Sequence, residues 1–167
     1  LVAHELGRAV DTKGQLVDAA GEIRTWWTPA DQAAFGERAR KLALQYSGYD
    51  YPATTGVKVD GSRTSESNMA DLAAIELAFD ALAAAQPGLD NAGRESFFRA
   101  WASLWREQLS AETAADAAAT RVQSPGQWRV NGPLANLPAF SETFKCKAGS
   151  AMRLKPEEQV SIWRQAE

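Results

Sequence analysis

The first residues able to do chemistry are His4-Glu5-Leu6-Gly7-Arg8. A His-Glu-x-x-His pattern on a helix sets two imidazoles one turn apart on a zinc ion, with the Glu beside them as base. Here the fifth position is Arg8, so the segment offers one imidazole, one carboxylate and one guanidinium. An ordinary helix that happens to contain His-Glu would show the same five residues, so the context has to decide. His4 and Cys146 are the only His and Cys in the chain. Carboxylates would have to complete any metal site, and Cys146 has no partner within the chain for a disulfide.

The elements that must position these groups read as helices. Val2, Leu6 and Val10 lie at helical spacing, followed by a loop over 11–22. Thr28-Pro29-Ala30-Asp31 combines an N-cap residue, a proline at the first helical position and an acid in the first turn, so a helix should run to about Tyr46. Gly48, Pro52, Gly56 and Gly61 mark a loop over 47–63 with at most one short hairpin around Val57-Lys58-Val59. The strongest stripe, Met69, Leu72, Ile75, Phe79 and Leu82, predicts a helix over 65–85 ended by Pro87-Gly88. Further helices are expected over 93–109, 111–120 and 138–144, an extended or irregular segment over 128–133, and a closing turn over 159–164. Six Trp are more simply assigned to the core than to a ligand cage.

Composition narrows the class. The 167 residues are 45 % apolar and 23 % charged, with net charge -3, which fits one mainly helical unit with a packed core. Interspersed charges, 18 basic against 21 acidic, leave no basic face for nucleic acid. No apolar run approaches the roughly 20 residues of a membrane span. Leu1-Val2-Ala3 reads as a helix already under way, so the chain is expected to be the back portion of something longer.

Several separated blocks resemble the neprilysin and endothelin-converting-enzyme family of zinc metallopeptidases. They are Asp11-Thr12-Lys13-Gly14 through Asp18, Gly21 and Trp26-Trp27-Thr28-Pro29, then Gln45-Tyr46-Ser47-Gly48-Tyr49. Asn68-Met69-Ala70-Asp71-Leu72 looks like the family's Glu-Asn-Ile-Ala-Asp helix without its first residue. Ser124-Pro125-Gly126 with Arg129-Val130-Asn131-Gly132-Pro133-Leu134 looks like its Ser-Pro-Gly and Arg-Val-Asn-Gly-Pro block. The match continues through Phe140, Phe144, Cys146 and Trp163. It implies a mainly α, thermolysin-like (gluzincin) fold: the C-terminal portion of a catalytic domain whose active members cut short peptides. The family's helical lid and N-terminal part would be absent, Cys146 would pair in relatives with a segment near their N-terminus, and the setting would be secreted or periplasmic.

Carried over position by position, the resemblance implies that His4 is the one retained zinc ligand, because Arg8 stands at the second ligand position and Ser67 at the third. A guanidinium has no lone pair to donate and stays protonated, so Arg8 would repel a dication. Glu66 stands one residue before Ser67, and one residue along a helix turns a side chain by about 100°. Gln123 replaces the histidine that stabilises the oxyanion. Glu5, Asp71 and Arg129 keep the base, the carboxylate that orients an imidazole, and the arginine near the substrate carbonyl. Asp71's expected client is the missing second imidazole, and Glu5 or Asp71 is expected to pair with a buried Arg8.

Three functions follow. The first is a degenerate, catalytically inactive relative with no cofactor, which binds a peptide or assembles with a related chain or the missing N-terminal portion. The second is an active zinc metalloendopeptidase on a remodelled site of His4, Glu66 and Asp71. The third is a structural relic without ligand. The apolar stripes of the first helix and of the 65–85 helix are expected to lie exposed unless a partner covers them.

Overall fold

The structure is a computed structural model that describes residues 1–163, with only the backbone of Val10. Seven α-helices carry it: α1 Val2–Gly7, α2 Pro29–Ser47, α3 Ser65–Ala85, α4 Asn91–Leu104, α5 Ala111–Thr120, α6 Gly126–Ala135 and α7 Pro138–Thr143. Among the described residues, β pairing is confined to two isolated antiparallel bridges, Val17 with Ile23 and Asp50 with Lys58.

Local chemistry accounts for the best-defined boundaries. At the start of α2, Thr28 Oγ1 accepts from Asp31 N at 3.2 Å and the Asp31 carboxylate accepts from Thr28 N at 3.1 Å, a reciprocal capping box with Pro29 behind it. Asp90 caps α4 through Gly93 N at 2.8 Å, and Ser110 caps α5 through Thr113 N at 3.2 Å.

α3 is the central element. Every residue from Ser67 to Glu76 is buried, as expected for a helix with neighbours on all sides, and α1, α2 and α6 pack against it. Leu72 and Ile75 are inaccessible and join Leu42, Tyr46, Phe79, Phe98 and Trp101 in one contiguous core. At one end, Phe79 stacks on Phe98, which also meets Phe97 and Phe140 edge-on.

Four expectations are corrected. Residues 128–133 are helical, within α6, despite Asn131-Gly132-Pro133. Tertiary contacts outweigh those poor helix formers: Trp128 stacks on Tyr49 at 3.9 Å and 4°, and the Tyr46 hydroxyl donates to the Trp128 carbonyl at 3.2 Å. Pro133 falls in the last turn, where Asn136 Nδ2 donates to the Gly132 carbonyl at 2.8 Å. Helix α4 ends at Leu104 rather than 109, because the Trp105 carbonyl turns against Gly126, whose added Cβ would lie 2.1 Å from it.

The closing turn over 159–164 is replaced by a short 3₁₀ turn at Pro156–Glu158, followed by an extended Gln159; Arg164 lies outside the described residues. The amine of Lys41 donates to the carbonyls of Glu157 and Gln159 at 2.6 and 2.9 Å and holds this arrangement. Finally, the α3 stripe is covered from within the chain. The exposed apolar face belongs to α1, where Leu1, Val2 and Leu6 are 73 %, 76 % and 59 % exposed. Of the six Trp, Trp101 is core, whereas Trp26 and Trp163 are 45 % and 44 % exposed.

Candidate functional site

One end of α1, the first turn of α3, the end of α4 and the start of α6 enclose a cleft of about 510 Å³. His4, Arg8, Ser67, Trp105, Gln123 and Arg129 all line it. The cleft therefore gathers His4, Arg8, Ser67, Gln123 and Arg129, five of the positions to which the resemblance assigns site roles.

Asp71 is the anchor behind this wall. It is fully buried, and Arg129 holds it by two charge-assisted bonds, Nε to Oδ2 at 2.7 Å and Nη2 to Oδ1 at 2.8 Å. His4 Nδ1 lies 3.0 Å from Asp71 Oδ1 without forming a hydrogen bond to it. The Arg129 guanidinium also lies flat on Trp105, 3.5 Å from the ring centre. Asp71 thus serves the first imidazole and Arg129, not a second imidazole.

The expected buried network around Arg8 does not form. The α-helix ends at Gly7 and continues as a 3₁₀ turn over Arg8–Val10, which leaves Arg8 exposed. Asp71 is engaged by Arg129 through both oxygens, and Glu5 is exposed and lies outside the cleft lining. Glu66 points to the loop after α1: it accepts from Thr12 Oγ1 at 3.1 Å and pairs with Lys13 at 3.1 Å. The Lys13 bond holds its carboxyl below the ordinary range, with smaller help from Thr12 and from the field of Arg8.

Among the described residues no three His, Cys, Asp or Glu side chains converge on a metal position. His4 is the single imidazole, Asp71 is occupied by a guanidinium, and Arg8 brings a positive charge where the resemblance implies a ligand.

Other cleft residues carried no signal of their own in the sequence. Trp105 belongs to an apolar stripe that reads as core, and Arg106, Glu107 and Arg121 read as solvated charges. Glu107 joins the walls: it accepts from Gly126 N at 2.9 Å and pairs with Arg121. Burial pushes the Glu107 carboxyl up, but the Gly126 bond and Arg121 outweigh it and leave it below the ordinary range. The Ser124 hydroxyl donates to Asn68 Oδ1 at 2.7 Å, tying the Ser-Pro-Gly turn to α3 and so positioning Gln123 at the rim. Gly126 is the residue that admits close approach, since any side chain would strike the Trp105 carbonyl.

With fold and cleft described, the protein class follows. The family model for Peptidase family M13 matches residues 1–160, and the chain belongs to that neprilysin-like peptidase family. It is 31 % identical to Neprilysin-3 of Drosophila melanogaster over 98 % of this chain and 21 % of that protein. It superimposes on the crystal structure of PepO from Lactobacillus rhamnosis HN001 with TM-score 0.86 and 33 % identity, covering 98 % of this chain and 25 % of that one. The Mycobacterium tuberculosis zinc metalloprotease Zmp1, solved with an inhibitor, gives TM-score 0.88 and 30 % identity over 98 % of this chain and 26 % of that one. The chain thus spans about a fifth to a quarter of the length of these relatives.

Proposed function

We propose that this chain is a non-hydrolytic M13 segment that holds a peptide in the cleft without cutting it, with no zinc at work. The observation that carries the reading is Arg8, a permanent cation lining the cleft beside His4, with Asp71 committed to Arg129. Water activation in such a fold needs a metal held by three protein ligands, and the residues present supply one imidazole. The exposed Leu1, Val2 and Leu6 of α1 support assembly with a polypeptide that covers this face, the rest of a peptidase fold or a related chain.

The test is metal content of the purified protein after chelation and zinc titration, run with a quenched-fluorescence peptide assay. Zinc below about a tenth of an equivalent and no cleavage are expected. Near-stoichiometric zinc, with cleavage abolished by Glu5→Gln, would overturn the reading and favour the remodelled metallopeptidase.

A further inference from the structure

The cleft that the family resemblance assigns to a cation has the opposite electrostatic character. Arg8, Arg106, Arg121 and Arg129 line it against a single carboxylate, Glu107, which is itself engaged by Arg121 and Gly126 N. Arg8 makes no hydrogen bond or ion pair among the described residues, lines the cleft, and adds its field to the neighbouring Glu66 carboxylate. Arg129 spends Nε and one Nη2 bond on Asp71, and its Nη1 takes no part in that pairing.

A second, independent observation is the state of Ser67. It is 92 % buried by residue, lines the cleft, and its hydroxyl has no hydrogen-bond partner. A buried hydroxyl left unsatisfied is costly, so it calls for an explanation. Trp105 Nε1, in the same lining, is likewise buried and unpartnered. Both groups can donate to an acceptor that enters the cleft.

We infer that this cleft is a carboxylate site, in which Arg8 and Arg129 with the Ser67 hydroxyl receive the C-terminal carboxylate of a peptide. The inference rests on the peptide-holding reading above and names the chemistry that the peptide brings. A planar carboxylate matches the fork of a guanidinium. Leu104, half exposed at the cleft edge, and the Trp105 ring offer apolar surface for the last side chain. A free oxyanion such as phosphate would share the charge but make no use of that surface.

The test is calorimetric titration of N-acetyl-Ala-Leu and of its carboxamide into the protein, with Arg8→Gln and Ser67→Ala as variants. Both substitutions leave the Asp71–Arg129 pair untouched, and circular dichroism checks that each variant is folded. The acid should bind at least tenfold more tightly than the amide, and Arg8→Gln should lower the acid's affinity about tenfold while leaving the amide's unchanged. Ser67→Ala should weaken the acid severalfold. Equal binding of acid and amide, or an Arg8→Gln variant that still prefers the acid by the same factor, would overturn the inference. So would inorganic phosphate displacing the acid at equal concentration. Failure here is distinct from failure of the non-hydrolytic reading, because zinc binding and peptide cleavage are read separately and do not depend on the acid preference.

Discussion

Replacing Arg129 by Met removes the partner of a fully buried carboxylate while keeping most of the stem's volume. Asp71 would lose two charge-assisted hydrogen bonds, at 2.7 and 2.8 Å, and would keep only the neighbouring imidazole of His4. Breaking a buried pair in this way costs about 3–5 kcal/mol, because the remaining charge is uncompensated. Loss of the guanidinium from the Trp105 face contributes about 1 kcal/mol within that range. For a chain of this size the expected fall in Tm is roughly 6–20 °C. The control is the double variant Asp71→Asn/Arg129→Met, which removes both charges and should recover more than half of the loss. Urea unfolding followed by tryptophan fluorescence measures Arg129→Met, Asp71→Asn and the double variant against wild type. A loss below about 1 kcal/mol for Arg129→Met, or strict additivity in the double variant, would refute the claim that this pair anchors the cleft wall.

Two further outcomes follow from the cleft walls. The Glu107 carboxyl is depressed in the folded state relative to its ordinary value of 4.5, so the stability it contributes is present above that value and lost as pH falls through the lower folded one. Thermal unfolding across pH 3–6 should therefore show a decline at the acid end that Glu107→Gln flattens; identical profiles would remove Glu107 from the wall. Gly126→Ala would put a methyl 2.1 Å from the Trp105 carbonyl, so backbone has to move, and a loss of about 1–3 kcal/mol in urea unfolding is expected. A neutral result would mean that the end of α4 and the start of α6 are not in fixed contact.

Much of the fold is legible from local rules. The capping box at Thr28 and Asp31 sets the start of α2, and the stripe from Met69 to Phe79 marks α3 as a helix, without reference to anything distant. Helix α6 is not legible in this way, because Asn131, Gly132 and Pro133 argue against a helix and residues far away in sequence, among them Tyr46, Tyr49 and Asp71, reward one. The end of α4 is hidden for a similar reason: Trp105 leaves the helix to meet Gly126, a contact between residues with no mutual pattern.

For the site, residue types alone determine that Arg8 cannot ligate a metal and that Ser67 and Gln123 bring hydroxyl and amide chemistry, since protonation state and lone pairs belong to the side chain. What each charge pairs with is decided only by the tertiary structure. Asp71 and Arg129 are 58 residues apart in sequence yet bonded, whereas Arg8, four residues from His4, stays exposed and unpaired. Coulomb attraction falls with distance in space and knows nothing of sequence separation, so the packing of α1 and α6 on α3 chose the partners. That choice left four guanidiniums and an unsatisfied hydroxyl around one cleft.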